Sequence, residues 1–125
     1  MNEDDTDNTN EDANEENAVA IPHQMDVLCG TTRDLGDHPG NLLYSVLIDQ
    51  HAQEYAEVTS SEKKRIITNI INEIQVRGRF RQFRQDRGLW FELSEPRKRN
   101  RVGHSLRLRR ERMVIQNQAV LGNEE

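Results

Sequence analysis

The first 17 residues, MNEDDTDNTNEDANEEN, limit how much of this chain can fold. They are almost wholly Asp, Glu, Asn and Thr, with no Lys, Arg or aromatic side chain. So little apolar surface cannot offset the entropy lost on ordering a segment. A core must come from the remainder of the chain, about 90 residues between Met25 and Met113, enough for one modest domain. The expected organisation of the 125 residues is therefore a disordered acidic tail and linker over 1–24, a compact domain over 25–113 and a frayed C-terminal tail over 114–125.

The net charge of −5 conceals a segregation. The acidic residues crowd the N-terminus, whereas from Arg77 to Arg112 there are 13 Arg and Lys against 4 Asp and Glu. Such asymmetry says more about partners than the total does. Cys29 is the single cysteine, so an intramolecular disulfide and a four-Cys zinc site are both excluded. An acidic start without an apolar run is not a signal peptide, and the densest apolar segment, Leu42 to Ile48, is far too short to span a bilayer. The expected location is intracellular, with the nucleus favoured over the cytoplasm.

Local patterns predict a small α+β domain: a short N-terminal strand, two helices, a β-hairpin, then a basic C-terminal helix. Met25 to Cys29 is the strand, and Gly30 to Gly40, rich in Gly, Thr and Asp, is a loop. A first helix starts near Pro39 to Asn41 and runs to about Val58, with Tyr44, Leu47, Ile48, His51 and Tyr55 on one face. Thr59-Ser60-Ser61-Glu62 matches a capping box and opens a second helix to about Val76, striped by Ile67, Ile70, Ile71 and Ile74. Gly78 is its expected C-terminal cap. Arg79 to Arg84 and Leu89 to Leu93 flank the turn Asp86-Arg87-Gly88 as a hairpin. Ser94 is the expected N-cap of the third helix, whose buried edge is Val102, Leu106 and Met113.

In order along the chain stand Asp26-Val27-Leu28-Cys29-Gly30, His38-Pro39-Gly40-Asn41, Gly78-Arg79-Phe80, Trp90 and Leu106-Arg107. This series resembles a domain of unknown function that is abundant in diatoms and related algae. Its members open with D-V-L-C-G-R-G, continue with N-H-P-G-N, G-R-F and W-x-E, and close near K-x-S-Q-A-L-R. The likeness covers roughly Asp26 to Arg110. Thr31 stands where the family has Arg, Asp37 where it has Asn, and Gly103-His104 where it has Ser-Gln. The resemblance implies domain limits and a shared fold rather than an activity.

No catalytic constellation stands out, so no enzyme activity, cofactor or metal is expected. Glycines before a helix at Pro39 suggest an anion site, but the spacing fits neither the P-loop nor the dinucleotide fingerprint, and shaping the helix start is the favoured role of Gly40 and Asn41. Cys29, His38 and His104 lack ligand spacing for a usual zinc site. The concentration of arginine is the strongest functional hint, because a planar guanidinium suits phosphate. The candidate nucleic-acid-binding residues are Arg79, Arg81 and Arg84 on the hairpin, and Arg97, Lys98, Arg99, Arg101, Arg107, Arg109 and Arg110 on the third helix. Arg97 to Arg101 also reads as a nuclear import patch. Two partners stay open: nucleic acid, in a chromatin-associated or regulatory role, or an acidic protein surface, the chain's own tail included. Trp90, Phe80, Phe83 and Phe91 are candidates for base stacking, although a domain this small needs some of them in its core.

Overall fold

Helix α1 spans Pro39–Glu57, with Pro39 in the first turn, where a missing N–H costs nothing. Its buried face is Tyr44, Ile48, Ala52 and Tyr55, the period expected, with Leu47 and His51 half-buried beside it. Helix α2 spans Ser60–Gln75 and buries Ile66, Ile67, Ile70, Ile71 and Ile74. Thr59 caps it, its Oγ1 accepting from the Glu62 N–H at 3.3 Å, while the Glu62 carboxylate turns to Arg65 at 3.2 Å. This is a computed structural model, which describes residues 17–30 and 33–123. The acidic tail expected before Asn17 lies outside those residues.

Three short strands form one sheet in the order β1-β2-β3: β1 at Val27–Cys29, β2 at Phe80–Arg84 and β3 at Leu89–Glu92. β2 and β3 are the expected antiparallel hairpin, with Phe83 opposite Trp90, closed by Gly88 at φ 69°. β1 lies parallel to β2, Val27 beside Phe80, so α1 and α2 intervene between paired strands. The element composition is the predicted one, a single small α+β domain with three helices and three strands.

Helix α3 begins at Glu95 and runs to Asn123, past Met113 where the compact domain was expected to end. Val102 and Leu106 are fully buried and Met113 packs at the edge of the same core. That core joins Phe80 and Val27 from the sheet to Ile48, Ile70 and Ile74. Ser94 does not cap α3 with its side chain: its Oγ is buried without a hydrogen-bond partner, and its carbonyl accepts the Lys98 N–H at 3.0 Å.

Gly78 also differs from expectation, because it does not adopt the left-handed backbone of a helix cap. It is glycine for want of space, since a Cβ there would overlap the Met25 carbonyl. Gly40 is pressed in the same way against the Asp26 carbonyl and donates its N–H to the Gln24 carbonyl at 2.9 Å. Residues 18–24, expected to be a linker, are therefore held. Val19 and Trp90 exchange backbone hydrogen bonds at 3.0 and 2.8 Å, which adds a one-residue antiparallel rung to the free edge of β3.

Candidate nucleic-acid interface

Basic side chains near a folded core divide by what they touch. Lys98 is 4% exposed and ends among Gln75 Oε1 at 2.6 Å, Glu92 at 2.8 Å and Glu95 at 3.2 Å. Burying an ammonium requires such partners, so Lys98 ties α3 to α2 and β3. Arg81 is held against the buried Asp26 carboxylate at 3.0 Å and donates to the Asn17 carbonyl at 2.7 Å. Arg84 pairs with Asp86 and lies over the Phe91 ring. Arg109 binds Asp49 of α1, with Ser45 Oγ at 3.4 Å. Arg97 donates to Gln82 at 2.5 Å, and Arg99 to Thr68 and the Lys64 carbonyl. Arg79 is exposed but turns back to the Gln75 and Gly78 carbonyls, with Glu92 at 3.9 Å. Seven of the ten expected contacts therefore have partners within the fold.

Arg101, Arg107 and Arg110 remain, and none of them has a carboxylate partner among the described residues. Their helical positions separate them further. Val102, Leu106 and Met113 mark the side of α3 facing the core. Opposite lie Asn100, Arg101, His104, Arg107, Leu108, Glu111 and Arg112, spaced so that they share one outer face. All are exposed except Arg101, which is half-buried with its guanidinium over the Tyr44 ring, 5.6 Å from the centroid, and its Nε buried without a hydrogen-bond partner. Arg110 sits on the flank with its Nε buried. The outer face thus carries Arg107 and Arg112 together with Asn100, His104, Leu108 and the carboxylate of Glu111, with Arg101 at its half-buried edge. Arg112 was absent from the sequence-derived set, as were the two polar residues. Plotting α3 around its buried stripe separates this face from the charge run.

The other candidates are built into the structure. Tyr44 donates its hydroxyl to Ser105 Oγ at 2.6 Å, and burial pushes its pKa up to about 12. Burial also raises the Cys29 pKa, against the smaller opposing effects of Arg101 and Arg97 nearby. A thiol held neutral in this way is a poor nucleophile. His38 sets its ring on the His23 carbonyl at 3.1 Å, and His104 stands away on α3. Among the described residues no group of three His, Cys, Asp or Glu is placed to hold a metal ion. No described helix is long and apolar enough to cross a membrane. Phe80 and Phe91 are core, while Phe83 is 41% exposed and packs against Trp90, ring centroids 5.3 Å apart.

The segments that the sequence singled out meet around two residues. Asp26 is buried and accepts from the His23 N–H at 2.9 Å, the Arg79 N–H at 2.8 Å and Arg81 Nε. Asn41 replaces a neighbouring strand for Leu28: its Oδ1 accepts the Leu28 N–H at 2.7 Å and its Nδ2 donates to the Leu28 carbonyl at 3.1 Å. A third bond runs from Nδ2 to the Leu35 carbonyl at 3.0 Å. Gly40 and Gly78 allow the backbones to close on this junction. A family model for a domain of unknown function, DUF6824, matches residues 26–108. The chain belongs to that family. The DUF6824 region starts at Asp26 and ends within α3, two residues beyond the buried Leu106. The motifs of the resemblance, D-V-L-C-G, H-P-G-N and G-R-F, form the structural junction of the DUF6824 fold rather than an exposed site. No curated protein and no solved structure matches the chain.

Proposed function

We propose that this domain is a non-catalytic binding module that lays the outer face of α3 on nucleic acid. The observation carrying the proposal is the sorting of cations. Most basic side chains are engaged within the fold, yet Arg107 and Arg112, with the half-buried Arg101 at their edge, share one outer face of a long helix on which they outnumber the carboxylate of Glu111. A helix of this kind meets phosphates through guanidinium groups, and Asn100 and His104 offer further hydrogen bonding on the same face. The raised pKa of Cys29 supports a role other than nucleophilic catalysis. A regulatory or chromatin-associated role, and action in the nucleus, belong to the same proposal. The run Arg97 to Arg101 contributes less to the nuclear part, because Lys98 within it is buried and paired.

Fluorescence anisotropy with labelled duplex DNA and single-stranded RNA at low salt tests the proposal. The full chain is expected to bind at least one, and the triple variant R101A/R107A/R112A is expected to lose about tenfold or more in affinity while keeping its fold. Equal binding by the triple variant removes α3 from the interface. No binding by the full chain or by the chain with a neutralised N-terminal segment rejects the nucleic-acid reading.

A further inference from the structure

The described body of the protein fixes where its acidic N-terminal segment begins. We infer that residues 1–16 dock along the outer face of α3 and compete there with polyanions. The competition rests on the nucleic-acid reading above, whereas the docking stands on its own observations.

The direction of the chain comes first. Val19 pairs with Trp90 in antiparallel fashion, so stepping back from Val19 to Asn17 leads alongside β3 towards Glu92. Arg81 holds the Asn17 carbonyl at that point, at 2.7 Å. β3 ends at Glu92 and α3 begins at Glu95. Asn17, the first described residue, therefore stands where β3 ends, a few residues before α3 begins.

Charge and length come next. Residues 1–16 hold eight Asp and Glu and no Lys or Arg. Extended, sixteen residues reach roughly 50 Å, whereas the helix rises only about 26 Å from Glu95 to Arg112. The segment is long enough to pass Arg101, Arg107 and Arg112 in turn. Tethering two oppositely charged segments at one end gives an effective concentration on the order of millimolar, so weak individual contacts are sufficient. On α2, Arg65 is paired with Glu62 and Lys63 lies over the Tyr55 ring, which leaves these two less available.

The test uses the full chain with a nitroxide at position 8, introduced by Asn8→Cys. Cys29 is buried, and the wild-type chain treated in parallel reports any labelling there. Amide signals of Arg101, His104, Arg107 and Arg112 are expected to broaden at low salt and to recover near about 0.5 M salt, where the Debye length is a few ångströms. The outer side of α2 around Lys64 is expected to stay sharp. A second full-length variant carries amides in place of all eight acidic residues. Its affinity for duplex DNA is expected to be about tenfold tighter than that of the wild type. Absent broadening, or equal broadening around Lys64, overturns the docking whatever the DNA result. Broadening confined to α3 with unchanged DNA affinity overturns the competition. If neither protein binds DNA, the partner reading fails and the broadening alone decides the docking.

Discussion

Replacing Asp26 by Ala leaves the Arg81 guanidinium nearly buried without its counter-charge and removes the acceptor of two backbone N–H groups. Breaking one side of a buried ion pair costs about 3–5 kcal/mol, most of it from the stranded charge. Urea denaturation of D26A is expected to show a loss of that order, large against the whole stability of a domain this small. Tyr44 leads to a prediction in pH. Its folded pKa of about 12 lies above the value near 10 of an unfolded tyrosine. The neutral phenol's contribution is complete below pH 10 and is lost as pH rises from there through 12, by roughly 1.4 kcal/mol per pH unit. Cys29, also raised by burial, adds a loss of the same sign. Urea midpoints of wild type and Tyr44→Phe between pH 9 and 12 check this; the wild type is expected to decline more steeply. Parallel declines would show that the buried phenol is not coupled to stability.

Helix α3 carries a glycine that the fold does not need. A Cβ at Gly103 would meet Ile67 Cδ1 and an Arg107 nitrogen at 3.5 Å, ordinary contact distance. Gly103→Ala is therefore expected to stabilise the domain by about 1 kcal/mol and raise its Tm by about 4–8 °C, read by thermal denaturation. A fall in Tm would mean that the helix packs more tightly against α2 at this position than the distances indicate. The starts of α1 and α2 and the hairpin were legible in the sequence because their signals are local: Pro39 opens α1, Thr59 caps α2 and Gly88 turns the hairpin. Pairings across distance were not. Nothing in Val27 to Cys29 names β2 as its parallel partner, and nothing in Val19 announces the rung on Trp90. Asn41 reads as a residue shaping a helix start, and only the fold shows its amide standing in for a strand beside Leu28. Helix α3 runs to Asn123, beyond the expected domain end at Met113, and no Pro or Gly interrupts the chain between there and Gly122.

Across the molecule, the basic C-terminal half proves to be two populations in one charge run. Arg81, Lys98 and Arg109 cross-link elements through carboxylates, and a linear sequence cannot distinguish them from Arg107 and Arg112, because the difference is the direction each faces. The candidate interface was legible as a segment and not as a surface. The motifs that carry the DUF6824 resemblance locate the structural junction at Asp26 and Asn41, and Cys29 of the first motif lies near Arg101 at the edge of that surface. Salt dependence of binding tests this division most directly. With Arg101, Arg107 and Arg112 all on phosphate, the logarithm of the affinity for duplex DNA should fall against the logarithm of salt concentration with a slope of about −2.7. Removing Arg107 should reduce the slope by about 1, whereas Arg99→Ala, which loses only an internal contact, should leave it unchanged. A slope that responds equally to both substitutions, or no measurable binding at any salt concentration, would contradict the assignment of the outer face of α3.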